Sequence, residues 1–169
     1  SNGLLPYYAK IDTFLYRSYA ENDLRKNLFF QKNTDGTYSF KGNYTGNGYL
    51  CYFGIATDEI YLNKAECLAR YGKVQQALDV LNELLRHRYR KGSFQPLSAA
   101  SIEEAMQLIL EERRKELVMR DLRWMDLKRL NKEKRHQVTL YRIIDETRYE
   151  LPPNDPRYAL PLPDYVLKF

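Results

Sequence analysis

The densest run of ionisable side chains is Glu111-Glu112-Arg113-Arg114-Lys115-Glu116. Three carboxylates in six residues raise the question of general acid–base chemistry. On a helix Glu112 and Glu116 share one face, but Arg113 and Arg120 are spaced to neutralise them. A like-charge pair that would raise a carboxylate pKa is then relieved rather than enforced. The expectation is a structural ion-pair network of Glu112, Arg113, Glu116, Arg120, Arg123 and Asp126, with no catalytic residue. Two further clusters, Arg86-His87-Arg88-Tyr89-Arg90-Lys91 and Lys128-Arg129 through Lys132-Glu133-Lys134-Arg135-His136, fall at the ends of predicted helices. The helix dipole favours positive charge there. A nucleic-acid-binding helical domain would require those clusters to form one contiguous basic face.

Other chemistries lack their residues. Cys51 and Cys67 form no C-x-x-C, and the two histidines, His87 and His136, lie far from both and from each other. No metal site and no cofactor is expected, and the two cysteines are expected to be buried thiols. No phosphate-cradling glycine loop and no G-x-S-x-G elbow is present. Tyrosine, by contrast, is abundant, with 15 residues against 7 Phe and 1 Trp. Tyrosine tolerates a half-wet surface and can lie flat on a sugar face while its hydroxyl hydrogen-bonds. The candidate ligand contacts are Tyr38, Tyr44 and Tyr49, on a predicted hairpin and a glycine-rich loop. The competing reading is that these rings simply cover the helical body.

The elements that must position these residues are mostly helical. The 169 residues carry 44% hydrophobic and 29% charged side chains and a net charge of +5, a globular composition. No apolar run approaches the roughly 18 residues of a membrane span. Residues 7–19 carry helical spacing, and Asp35-Gly36 between Leu28–Gln31 and Thr37–Phe40 predicts a β-hairpin. Lys41–Phe53 reads as a loop. From Thr57 or Asp58, acting as a cap, a helix runs to Gly72, and Val74–Leu85 forms a second one antiparallel to it. Ala65, Ala77 and Leu81 around Tyr71-Gly72-Lys73 resemble one tetratricopeptide unit, with no second copy at the expected period. Ser101 with Glu104 is a capping box that opens a helix expected to bury Ile102, Ala105, Met106, Ile109 and Leu117. A bend is expected at Arg120-Asp121, followed by a helix using Trp124, Met125, Leu127 and Leu130. Five prolines between Pro152 and Pro163 require an extended tail. The fold class is mostly α, with TPR-like antiparallel helical hairpins, a small β-hairpin and long irregular loops. Residues 1–56 are expected to be the irregular aromatic segment and 57–169 the helical scaffold, together one compact unit.

Four blocks in order resemble the C-terminal part of the SusD/RagB family. They are Asn22-Asp23-Leu24-Arg25 with Leu28-Phe29-Phe30; Glu59–Glu66 continued by Gly72, Ala77-Leu78, Leu81-Asn82, Arg86 and Arg88; Ile109–Leu117 with Arg123–Arg129; and Asn154-Asp155-Pro156-Arg157-Tyr158 with Leu160-Pro161-Leu162-Pro163. Thr57-Asp58 and Asp121 depart from the family's usual arginine and glycine. The resemblance implies a surface-exposed lipoprotein of the outer membrane that binds a glycan or other nutrient without catalysis. It also implies a SusC-like TonB-dependent transporter as partner, no nucleic acid, and membrane attachment only through a lipid anchor absent from this chain. Full members are about three times as long, so a fragment carrying mainly the scaffold is expected; Ser1-Asn2-Gly3 reads as a tag remnant. The alternative is a TPR-like adaptor that binds a peptide or protein in its helical groove.

Overall fold

The computed structural model describes residues 9–42, 51–163 and 165–166. By its own contacts the chain falls into two compact units, Ser1–Asp121 and Leu122–Phe169. The aromatic segment before residue 57 therefore belongs with the helical hairpin, and the proline-rich tail belongs with the last helix.

The first unit begins with α1 (Thr13–Arg17), capped by Asp12, and α2 (Leu24–Phe29), capped by Asp23. The Asp23 side chain accepts from Arg25 N, so Leu28 and Phe29, expected to open a strand, instead close a helix. The chain then passes directly into β1 (Phe30–Lys32), which pairs antiparallel with β2 (Tyr38–Phe40), Phe30 opposite Phe40. Gly36, at φ +80, takes the left-handed turn position predicted for it. Leu15, Tyr19, Phe30 and Phe40 form a small core under this hairpin.

The scaffold consists of α3 (Thr57–Arg70), α4 (Val74–Leu85) and α5 (Ile102–Glu116), with α3 packed on both others. Ala65, Ala69 and Ala77 are fully buried, and these small side chains allow close backbone approach. Gly72, at φ +76, ends α3 as expected. The cap at its start differs: Ala56 is the N-cap with no side-chain bond, and Asp58 lies inside the helix and buried. Ser101 accepts from Glu104 N at 3.1 Å and Glu104 accepts from Ala100 N at 2.7 Å, a reciprocal cap for α5. Ile102 is 41% exposed, off the buried stripe that Ala105, Met106 and Ile109 form. Both cysteines are free. Cys67 is exposed, contrary to expectation, because the buried face of α3 runs Leu62, Ala65, Glu66, Ala69 and Cys67 falls outside it. The bend after α5 holds Met119 and Asp121 at φ 58 and 60, so Asp121 adopts the left-handed geometry that favours glycine.

The second unit contains α6 (Arg123–Leu130) and an antiparallel hairpin, β3 (Leu140–Ile144) with β4 (Thr147–Leu151). This hairpin was not expected. Its turn, Asp145-Glu146, contains no glycine or asparagine although both residues sit at positive φ (46 and 63). On α6, Leu127 and Leu130 are buried as expected, whereas Met125 is 61% exposed. Among its described residues the tail is irregular except for a 3-10 turn, Pro156–Tyr158, capped by Asp155.

Candidate functional site

The charge-dense part of α5 closes around Arg25. Having capped its own helix, Asp23 also receives Arg25 Nε at 3.0 Å and Nη2 at 2.7 Å. The same guanidinium reaches Glu112 Oε2 at 2.7 Å and Glu116 Oε2 at 2.9 Å. Arg88, just beyond α4, donates from Nε to Glu116 Oε1 at 2.7 Å, and Lys115 pairs with Glu112. Three carboxylates thus meet three cations. Asp23 and Arg25 are 0% and 1% exposed, so this is a charge cluster taken out of water and neutralised there. The backbone is joined at the same place: Leu24 N donates to Arg88 O at 2.8 Å and Arg90 N to Asn22 O at 3.0 Å.

Burial opposes the charge on Arg25, but the Asp23 hydrogen bonds and the Glu112 and Glu116 carboxylates outweigh it and hold the guanidinium pKa above its ordinary value. Tyr19 donates its hydroxyl to Lys115 O at 2.7 Å. Its burial, partly offset by Arg25 and reinforced by the acids, keeps the phenol pKa well above the usual range. A cluster so closed and balanced fixes α2, α4 and α5 against one another.

Above it lies the aromatic hairpin. Tyr38 stacks on Tyr16 with ring centroids 3.6 Å apart and planes within 17°. The Tyr16 phenol is pushed up to about 12, chiefly by its hydrogen bond with Tyr38, with some burial. Beside the hairpin, Leu28, Phe29, Phe40, Val118 and Met119, together with Tyr52, Glu116 and Arg120, line a mostly apolar cleft of about 310 Å³. Gly42 is required in this wall, since a Cβ there would stand 2.8 Å from Phe29 Cδ1 and 3.0 Å from Phe29 Cα. Arg120 lies over the Tyr52 ring at 4.9 Å and donates to Gly54 O at 2.6 Å. It also approaches Asp58 and Glu59 at 3.6 and 3.7 Å.

In the second unit the organising residue is Asn131, 1% exposed, at the end of α6. Its Oδ1 accepts from Val138 N at 2.9 Å and its Nδ2 donates to the Tyr158 hydroxyl at 3.1 Å. Its carbonyl accepts from Gln137 and Asn154 at 3.0 and 2.8 Å. Tyr158 packs on Trp124 with centroids 4.9 Å apart. One neutral side chain therefore ties the helix, the foot of the hairpin and the Asn154–Tyr158 turn together.

The six residues expected to form one network are distributed. Glu112 and Glu116 belong to the Arg25 cluster, where Arg25 and Arg88 take the role expected of Arg113 and Arg120. Arg113 donates to Asn63 at 2.8 Å, and Arg120 holds the Tyr52–Glu59 strap. Asp126 is buried and pairs with Arg129 at 2.9 Å, and Arg123 is exposed at the start of α6. Of the candidate ligand contacts, Tyr38 is half-buried against Tyr16, while Tyr44 and Tyr49 lie outside the described residues. Sequence reasoning missed Asp23, Arg25 and Asn131 as organising residues, although Asp23-Leu24-Arg25 and Asn154–Tyr158 stood in the family-like blocks. Among the described residues no group of three or more His, Cys, Asp or Glu could hold a metal, and no helix is long and apolar enough to cross a membrane.

Comparison with known proteins agrees with this architecture. Residues 16–165 match the SusD family, and the chain belongs to it. No curated protein matches the chain. Among solved structures, the chain is similar to a SusD-like carbohydrate binding protein from Bacteroides vulgatus, at 18% identity and a TM-score of 0.63 over 94% of this chain and 40% of that one. It is also similar to a SusD superfamily protein from Bacteroides fragilis, at 21% identity and a TM-score of 0.56 over 70% of this chain and 29% of that one. At these identities the likeness establishes the fold. The chain spans 40% or less of the length of either neighbour.

Proposed function

We propose that this chain is the scaffold-bearing part of a non-catalytic, glycan- or nutrient-binding protein at the outer cell surface. It works with a SusC-like TonB-dependent transporter and is held to the membrane by a lipid anchor. The observation that carries the reading is the SusD family match across residues 16–165. The likeness to the Bacteroides vulgatus protein, a SusD-like carbohydrate binding protein, supports the ligand class. The Arg25 cluster supports a framework role, because a neutralised, water-excluded set of charges positions elements and offers no exposed reacting group. Tyr38, Tyr44 and Tyr49 are the proposed ligand contacts, and Tyr16 backs the Tyr38 ring so that it presents a fixed face.

The test is a glycan array on the whole protein, wild type and the triple variant Tyr38→Ala/Tyr44→Ala/Tyr49→Ala. The expected result is retention of a defined glycan class by the wild type and its loss in a folded triple variant. Retention unchanged in the variant removes these tyrosines from the site. Capture of peptides with no glycan bound would support the adaptor reading instead.

A further inference from the structure

Tyr16 and Tyr38 meet more squarely than aromatic rings usually do. Their centroids are 3.6 Å apart with planes within 17°. Rings ordinarily prefer an offset or edge-on approach, because their quadrupoles repel face to face. Carbon atoms in contact settle about 3.5 Å apart, so a centroid spacing of 3.6 Å leaves almost no lateral offset. The two hydroxyls are hydrogen-bonded to each other, which requires both rings to point the same way. Each Cε, the carbon ortho to the hydroxyl, therefore stands over a Cε of the other ring at close to contact distance.

The pair is held from several sides. Tyr38 O accepts from Ile11 N at 2.8 Å, just ahead of α1. Asp12, which caps α1, pairs with Arg114 of α5 at 2.8 Å. Phe30 meets the Tyr16 ring edge-on, with centroids 5.6 Å apart. Lys26 Nζ, itself paired with Glu21, stands 5.1 Å from the Tyr16 centroid. A cation beside the π-system offsets part of the cost of stacking. Both tyrosines are only half-buried, so solvent reaches them.

Two co-directional phenols in contact at their ortho carbons are a near-attack arrangement for oxidative coupling, since a tyrosyl radical carries much of its unpaired spin at those carbons. We propose that Tyr16 and Tyr38 form a dityrosine site, joined by a Cε–Cε bond when a one-electron oxidant of the haem peroxidase class draws on hydrogen peroxide. Each phenol gives up one electron and its hydroxyl proton. The two radicals pair to make the carbon–carbon bond, and the hydrogen on each bonded carbon then moves to its own ring oxygen. Two electrons and two protons leave in all and reduce one hydrogen peroxide to two waters. The link ties α1 covalently to β2 and takes chain freedom from the unfolded state, as any internal cross-link does. A tyrosine without such a neighbour couples only when two chains collide or a segment moves, so dilution favours this pair. The inference stands apart from the glycan reading, because it needs only the two rings.

The test treats the whole protein, dilute, with a haem peroxidase and limiting hydrogen peroxide, and maps the products by tryptic digestion and mass spectrometry. The expected result is dityrosine fluorescence in the monomer band of a denaturing gel. It is accompanied by a peptide pair joined through Tyr16 and Tyr38, two hydrogens lighter than the sum of its parts. Tyr16→Phe and Tyr38→Phe, which keep the stacked ring, should each abolish the fluorescence of the monomer band. Unfolding the wild type in denaturant before oxidation should lower the yield of the joined pair by at least about tenfold, a comparison that decides even where a variant misfolds. A monomer with no Tyr16–Tyr38 link overturns the proposal. So does dityrosine that joins separate chains or other tyrosines instead, or a link that forms equally well in denaturant.

Discussion

The two units solve the same problem with opposite chemistry. Each must join segments that are far apart in sequence and too irregular to pack through a broad apolar face. The first unit does so with charge: Arg25 gathers Asp23, Glu112 and Glu116, with contacts spanning up to 91 residues. The second does so with Asn131, whose neutral side-chain amide joins Val138 and Tyr158 and whose backbone carbonyl accepts from Asn154, all within 27 residues. The difference follows from what each must hold. A guanidinium offers a planar fork able to serve several carboxylates from separate elements. An asparagine offers one acceptor and one donor group, suited to a backbone amide and a hydroxyl. A charge cluster costs more to bury and fails harder when one member is lost.

Replacing the charged hub should therefore have the largest effect. Arg25→Met leaves three carboxylates with too little counter-charge in a dry site and should cost about 3–5 kcal/mol, read as loss of a cooperative unfolding transition or a large fall in Tm. Asn131→Ala leaves Val138 N and the Tyr158 hydroxyl without their partners and should cost about 1–3 kcal/mol by chemical denaturation. If the two variants cost the same, the contrast drawn between charged and neutral hubs is wrong.

A third measurement separates the units by pH. Tyr19 stays protonated in the folded protein at pH values where the unfolded chain ionises, near the ordinary 10.0. The folded state then binds more protons than the unfolded one, so stability falls as pH rises past that value. Tyr19→Phe should flatten this alkaline slope, while Asn131→Ala should leave it unchanged; both are read from denaturant midpoints across the alkaline range. The smallest effect is expected at the α5 cap, where Ser101→Ala should cost about 1 kcal/mol.

What the sequence disclosed reflects how local each feature is. The α3–α4 hairpin, Gly72 as terminator, the Ser101 cap and the Asp35-Gly36 turn rest on residues within a few positions of one another. The partners of Glu112 and Glu116 do not. Their spacing on one face pointed to Arg113 and Arg120, yet the neutralising arginines come from α2 and from beyond α4, and only the fold brings them in. The second hairpin escaped notice because Asp145-Glu146 accepts a left-handed turn without glycine. Cys67 and Ile102 are apolar side chains next to a buried stripe, which helical periodicity resolves only once the partner helix is known. For the proposed ligand contacts, the sequence marked aromatic richness, but it could not show that the Tyr38 ring is already stacked on Tyr16.

The central claim is that carboxylates which look reactive in the sequence are joined to Arg25 as one structural unit. A double-mutant cycle on Arg25→Met and Glu116→Gln, followed by equilibrium unfolding, addresses it directly. The account predicts that the double variant departs from the sum of the single effects by more than about 1 kcal/mol. Additivity within about 0.5 kcal/mol would mean that the two residues act independently and would contradict it.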